Sequence, residues 1–141
     1  GFAHPEMGHM RVRRLPEDLD FQGSCPFHGD CLEGLASGPA IASRWGVPAE
    51  MLPPEHPAWD LEVAYLAQML QNTIAILAPE RIILGGGIGK QPFLIRSLRQ
   101  KLAADLGKYW PEFDPMLQVL PSELKDEAGL LGALALAMGL A

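Results

Sequence analysis

The most regular spacing of apolar residues lies in the second half of the chain. Between Trp59 and Leu77, apolar side chains recur at intervals of three and four residues, which predicts a long helix that ends before Pro79. Leucines at four-residue intervals predict another helix over residues 92–106, with Gly107 after its last turn. Between these helices, the β-branched run "RIILGGGIG" predicts a buried strand that leads into a glycine turn.

Shorter patterns extend this picture in both directions. Apolar residues alternate with arginines from Met10 to Leu15, which predicts a short strand, and residues 116–120 predict another. Pro39 in "ASGPAI" suits the first position of a short helix, whereas the prolines of residues 47–60 predict a loop. The apolar run that begins at Glu127 predicts a final, tightly packed helix. This alternation of helices and strands is typical of an α/β layer fold.

Composition and charge narrow the class of protein. The 141 residues are 48% hydrophobic and 20% charged, which suits one globular domain over residues 1–141. No apolar run approaches the roughly 20 residues that span a bilayer, so we expect no membrane partner and a cytoplasmic location. The net charge of −6 argues against a nucleic-acid partner, because phosphate contacts need clustered Lys and Arg. The chain starts with Gly1 and not Met, so we expect a fragment of a longer protein.

The stretch "SCPFHGDCLEG" carries candidate metal ligands. Cys25, His28 and Cys31 place three ligand-type side chains within seven residues, and zinc takes such ligands in tetrahedral sets of four. His9, in the stretch "HPEMGH", is the best candidate for the fourth ligand. A disulfide between the two cysteines, or two incidental thiols beside a surface histidine, are the alternatives.

The glycines after the predicted strand match neither common nucleotide motif. A dinucleotide fingerprint would need glycine where Lys90 stands, and a phosphate-binding loop would need Ser or Thr in place of Gln91. The turn then either binds a ligand at the carboxyl end of a strand or only connects a strand to a helix.

Four stretches together carry a resemblance to a known family. In this order and spacing, "HPEMGH", "CPFHGDCLEG", "ASGPAI" and "IILGGGIG" resemble the carboxyl half of bacterial fructokinases of the ROK family of sugar kinases. The resemblance implies the C-terminal lobe of an actin-like, ribonuclease-H-like ATPase fold, with a zinc loop at about 9–31 and a nucleotide-side helix–strand–helix unit at about 58–141. It also implies a hexose, fructose, as substrate, ATP with Mg²⁺ as phosphoryl donor, and a homodimer of the parent protein.

The resemblance also implies roles for individual residues. One structural zinc would be bound by His9, Cys25, His28 and Cys31. Three residues would line the sugar pocket: Glu6, His9 and Glu33. Five residues would lie against the nucleotide: Pro39, Gly85, Gly86, Gly87 and Gly89.

The family's D-x-G-G-T phosphate motif and catalytic aspartate belong to the other lobe. We therefore expect the isolated chain to bind zinc without phosphorylating sugar. Two other functions remain open at this point, namely the sugar-sensing lobe of a ROK-family transcriptional regulator and a zinc-stabilised interaction module.

Overall fold

A computed structural model of the chain describes residues 5–139, except for the side chains of Ile88 and Gly89. His4, the first residue of "HPEMGH", lies outside the described residues. The architecture is α/β, as the sequence predicts. The helices are α1 (Leu32–Leu35), α2 (Gly38–Trp45), α3 (Ala58–Leu77), α4 (Gly86–Gly89), α5 (Pro92–Leu106), α6 (Pro115–Gln118) and α7 (Ala128–Ala137), and the strands are β1 (Ile82–Leu84) and β2 (Val119–Pro121). Single 3₁₀ turns cover Met7–His9, Pro16–Asp18, Ala49–Met51 and Lys125–Glu127.

The hydrophobic core lies between α3 and α5, the two helices with the clearest periodicity. The leucines of α5 at positions 94, 98, 102 and 106 are all buried, as their spacing predicts. They pack in one cluster with the apolar face of α3, which includes Leu66, Leu70 and Ile74. At one end of this interface, the rings of Trp59 and Phe93 meet edge to face, with centroids 5.3 Å apart. Both helices end where the sequence predicts, at the left-handed Ala78 and at Gly107.

The two strands form a parallel pair that places the glycine turn. Ile82 is opposite Val119, and Leu84 is opposite Pro121. α5 lies in the connection between the strands and packs against β2, which leaves Val119 fully buried. The carboxyl end of β1 therefore runs directly into Gly85 and the single helical turn of α4.

The predicted strand from Met10 to Leu15 is wrong. This segment pairs with no strand among the described residues, because side chains of α3 bind its backbone instead. The Gln68 amide accepts a hydrogen bond from Arg13 N (2.8 Å) and donates one to Arg13 O (3.1 Å). The Tyr65 hydroxyl accepts another from Leu15 N at 3.3 Å. The alternation of apolar residues and arginines therefore belongs to a segment that lies along α3.

Two predictions near the C-terminus also need correction. Residues 115–118 form α6 and not a strand, because Asp114 caps the turn by accepting a hydrogen bond from Met116 N at 2.9 Å and Pro115 starts it. Only residues 119–121 are extended as β2. The predicted final helix is present as α7, but it is not tightly packed, since Leu130 and Leu136 are about 70% exposed, at 67% and 71%.

A buried ion pair holds the first part of the chain against α2 and α3. Arg44 donates two hydrogen bonds to the carboxylate of Asp18, at 2.8 and 2.9 Å, and a third to the carbonyl of Leu35 at 2.9 Å. The hydroxyl of Tyr65 donates to Asp18 Oδ2 at 2.7 Å. The ring of Phe21 lies 4.1 Å from the guanidinium of Arg44. Arg44 therefore has a structural role, since it joins Asp18, Leu35 and Phe21.

Among residues 5–139, every helix is too short or too polar to cross a membrane.

Candidate functional site

Four predicted ligands converge on one point of the structure. The ligand atoms of His9, Cys25, His28 and Cys31 all lie within 4.8 Å of one another. Nδ1 of His9 is 3.8 Å from Cys25 Sγ and 3.6 Å from Cys31 Sγ, and Nδ1 of His28 is 3.8 Å from Cys25 Sγ. Both cysteines are buried and free. Bond lengths of 2.3 Å to sulfur and about 2.05 Å to nitrogen give tetrahedral N–S separations of about 3.6 Å, so this donor set fits zinc.

Backbone hydrogen bonds bring the two ligand-bearing segments together. Leu32 N donates to Met10 O at 2.9 Å, which fastens the residue after His9 to the residue after Cys31. Within the loop, Cys25 and Gly29 exchange two backbone hydrogen bonds and close a tight turn over His28. Arg11 and Arg14 both pair with the carboxylate of Asp30 at the edge of this loop. The sequence therefore encodes a rigid frame for the four donors.

Gly34 is a requirement of this frame that sequence reasoning missed. A Cβ at this position would stand 1.8 Å from Gly29 O and 3.0 Å from Cys25 Cβ. Only glycine therefore allows α1 to pack directly against the cysteine turn. The glycine of the "CLEG" motif is the sequence feature that reflects this packing, but a single glycine in a short helix does not reveal what lies opposite it.

The two thiols have opposite electrostatic environments. Burial raises the pKa of the Cys25 thiol, but hydrogen bonds from the backbone N–H groups of His28 and Phe27 and from the side chains of Cys31 and His28 together lower it to about 6. Burial raises the pKa of Cys31.

Glu33 lies directly behind one of the candidate ligands. Its Oε2 is 3.5 Å from His9 Nε2, the ring nitrogen that faces away from the sulfurs. A carboxylate in this position fixes the orientation and tautomer of a metal-binding imidazole. Glu6 precedes the turn that carries His9, and its carbonyl accepts a hydrogen bond from His9 N at 3.0 Å. Both glutamates are exposed.

A second site lies beside the glycine turn, in a cleft of about 470 Å³ between α2, α3 and α4. Gly85, Gly86 and Gly87 line it on one side, and Ser37 and Gly38 line it on the other. Three of the five predicted nucleotide residues, Gly85, Gly86 and Gly87, therefore line this cleft, whereas Pro39 is not among its lining residues. Gly89, the fifth, lies outside the residues whose side chains the structure describes. Pro39 instead occupies the first turn of α2, after the N-cap Ser37, whose hydroxyl accepts from Ala40 N at 3.2 Å.

The glycines of the turn differ in what their positions require. Gly86 has a φ of +65°, which favours glycine for backbone reasons alone. Gly87 has no positive φ, and no described atom outside its own surroundings in the chain lies within 4 Å of the place where its Cβ would stand. Packing within the described residues therefore does not demand glycine at 87.

Glu62 of α3 is a further residue of this cleft, and no sequence pattern singles it out. It lines the cleft, yet it is only 1% exposed, and neither carboxyl oxygen has a hydrogen-bond partner among the described residues. Burial raises the pKa of this carboxyl to about 7, although the nearby Arg44 opposes the rise. A glutamate at this point of a helix is normally exposed, so only the structure reveals it.

Comparison with known proteins agrees with the motifs. The ROK family model matches residues 1–139. A fructokinase of Pediococcus pentosaceus is 42% identical over 138 residues, which cover 97% of this chain and 47% of that protein. A fructokinase of Zymomonas mobilis subsp. mobilis is 44% identical over 142 residues, 98% of this chain and 46% of that protein. A fructokinase of Lactococcus lactis subsp. cremoris is 44% identical over 109 residues, 77% of this chain and 38% of that protein.

The chain therefore spans about half the length of the curated relatives it matches. Since the family model covers nearly every residue, this chain belongs to the ROK family.

Proposed function

We propose that this chain is the zinc-binding part of an ATP-dependent fructokinase, which converts D-fructose to fructose 6-phosphate. It corresponds to the C-terminal lobe of an actin-like, ribonuclease-H-like ATPase fold. The metal centre holds one side of the sugar pocket in shape, and the cleft at the glycine turn takes the nucleoside of ATP. The chain spans about half the length of relatives that are named fructokinases. This supports the activity, and it supports the assignment of this chain to one of two parts of the enzyme.

The convergence of four donors with a carboxylate behind one of them is the observation that carries this proposal. His9, Cys25, His28 and Cys31 would hold zinc, and Glu33 would orient His9. Four protein ligands complete a tetrahedral shell, so the metal has no open position for substrate and acts as a structural support. It joins the turn at 7–9 to the loop at 25–31 and so fixes the wall on which Glu6 and Glu33 stand.

The proposed sugar pocket is supported by the glutamates beside the metal centre. Glu33 contacts His9, Glu6 directly precedes the turn that carries His9, and both glutamates are exposed. Carboxylates accept hydrogen bonds from sugar hydroxyls, and such bonds are about twice as strong as those between neutral groups. We propose that these three residues orient the hexose so that the phosphoryl group is transferred to its 6-hydroxyl.

The nucleotide assignment rests on the cleft beside the glycine turn. Open space around Gly87 and the carboxyl-end position of the turn favour a ligand whose backbone contacts are close. Phosphoryl transfer also needs Mg²⁺, a phosphate cradle and a carboxylate that takes the proton from the hydroxyl. The 141 residues contain no D-x-G-G-T motif, so these parts come from elsewhere in the whole enzyme.

Metal analysis of the purified chain tests this proposal. We expect one zinc per chain, lost in both His9→Ala and Cys31→Ala together with thermal stability. His56→Ala is the matched control, because this histidine lies far from the ligand set in sequence and packs against Trp45 instead. Zinc that survives His9→Ala would contradict the proposed centre, and so would a chain that contains no zinc.

Two wider expectations belong to the whole enzyme. We propose that it is a cytoplasmic homodimer, and the pair of free cysteines fits a reducing compartment. Light scattering of the full-length protein measures its oligomeric state directly.

A further inference from the structure

Among the described residues that line the nucleotide cleft, Glu62 is the one with buried side-chain atoms that lack a hydrogen-bond partner. Both carboxyl oxygens are buried and have no partner among the described residues, although Glu62 lines the cleft together with Ser37 and Gly86. Buried polar groups in folded proteins are normally paired, and an exception indicates an absent water, ion or ligand. The residues on either side of Glu62 in α3, Leu61 and Val63, are also buried.

The charges around the cleft indicate which part of a ligand can reach Glu62. A carboxyl group repels phosphate, so the phosphates of a nucleotide must lie away from it. Lys90, the cation that lines this cleft among the described residues, belongs to the glycine-turn end and pairs with Asp126 at 2.5 Å. Glu50 is the other acid of the lining, but it is exposed and keeps its contact with water. The nucleoside is then the part of the ligand that lies against Glu62.

We propose that Glu62 selects the nucleoside of the bound nucleotide by accepting a hydrogen bond from one of its donors, either a ribose hydroxyl or the exocyclic amine of the base. This inference rests on the nucleotide cleft of the proposed function. The carboxyl is almost fully covered in the structure, so contact requires a side-chain rotation toward the cleft. That rotation breaks no hydrogen bond, because the oxygens have none to lose. The ligand therefore supplies the partner that the fold leaves out.

Calorimetric titration of the 141-residue chain with ADP tests the inference. The titration is done at pH 8, where the carboxyl is mostly ionised, and we expect Glu62→Met to weaken ADP binding about tenfold or more, because a hydrogen bond to a charged group is lost. Glu62→Gln keeps one acceptor and the shape of the side chain, and its loss should be smaller. Glu55→Gln is the control for charge alone, because Glu55 is exposed and outside the cleft. Thermal melts establish that each variant is folded.

Analogues that each lack one donor identify the group. If it is a ribose hydroxyl, either 2′-deoxy-ADP or 3′-deoxy-ADP should bind wild type and Glu62→Met equally, because the hydrogen bond is then absent from both proteins. If it is the amine, IDP, which lacks this group, should show that equality instead. Equality with one analogue, beside a clear difference with ADP, supports the inference and names the group.

The outcomes separate this inference from the proposed function. Wild type that binds ADP with the same affinity as folded Glu62→Met and Glu62→Gln overturns the role of Glu62 and leaves the cleft as the nucleotide site. Wild type that binds no ADP at all overturns the nucleotide cleft, and the inference with it.

Discussion

Asp18 illustrates how one buried carboxylate can organise a segment without regular structure. It is 4% exposed and receives hydrogen bonds from Arg44 and from the hydroxyl of Tyr65. The sequence "PEDLD" gives no hint of this role, because the three acids look equivalent. Their difference arises from tertiary contacts with α2 and α3, which a single sequence does not display.

Asp18→Ala should destabilise the chain strongly. Removal of this carboxylate leaves the guanidinium of Arg44 buried and without its charged partner, at a cost of about 3–5 kcal/mol in the free energy of unfolding. Urea denaturation of the variant and of the exposed control Asp20→Ala measures the effect. A loss below 1 kcal/mol, or an equal loss in the control, would contradict the assigned network.

The buried carboxyl of Glu62 should make stability depend on pH. Its pKa in the folded chain is about 7, raised by burial from an ordinary value of 4.5. The folded state therefore holds this proton more tightly, so its contribution to stability is complete below pH 4.5 and is lost as the pH rises to about 7. The full loss corresponds to about 3 kcal/mol.

Glu62→Gln isolates this effect, because the amide stays neutral at every pH. Relative to wild type, the variant should gain stability between pH 5 and pH 8, by about 3 kcal/mol at most. Chemical denaturation of both proteins at the two pH values measures it. The same difference between the proteins at pH 5 and pH 8 would show that Glu62 is not titrating in this range.

At the scale of elements, periodicity was a reliable guide where a whole face is buried. α3 and α5 follow the predicted spacing because each buries one continuous apolar stripe. The segment from Met10 to Leu15 has the alternation of a strand, yet its backbone partners are the side chains of Gln68 and Tyr65. A sequence pattern reports which side chains are buried, and it does not report what the backbone binds.

The candidate metal centre likewise has some features that the sequence predicts and others that it does not. The residue types and spacing of "CPFHGDC" predict a ligand set, and the structure brings His9 to it. The close packing of Gly34 against the loop could not be predicted, because contact between a helix and a turn produces no periodic pattern in the sequence. Local chemistry is readable from sequence, whereas the surfaces that face each other across a turn are not.

Gly34→Ala should therefore disturb the loop as a unit. The added methyl group would overlap Gly29 O and crowd Cys25, and we expect a loss of about 2 kcal/mol in stability together with weaker zinc binding. Gly132→Ala in α7 is the matched control, since nothing among the described residues lies within 4 Å of its added Cβ. Competition with a chelator measures zinc affinity. Unchanged affinity and stability in Gly34→Ala would refute the close packing.

At the scale of the whole molecule, we expect the isolated chain to have no kinase activity. The pure 141-residue chain with ATP, Mg²⁺ and fructose should release no ADP above background, because phosphoryl transfer needs a phosphate cradle and a base as well as the pocket walls. A coupled assay of ADP release measures this, with a full-length relative such as the Pediococcus pentosaceus fructokinase as positive control. Fructose-dependent turnover by the chain alone would overturn the expectation.

The meeting of His9 with the cysteine loop has a further consequence for the unfolded chain. A metal that stays on His9 and Cys25 during unfolding ties together two points that enclose 15 residues, numbers 10–24. A covalent link around a loop of this length removes conformational entropy from the unfolded ensemble worth about 3 kcal/mol. The first segment of the chain is irregular and has few helices. Its order would then depend on the metal-closed loop in the unfolded chain as much as on the burial of its side chains.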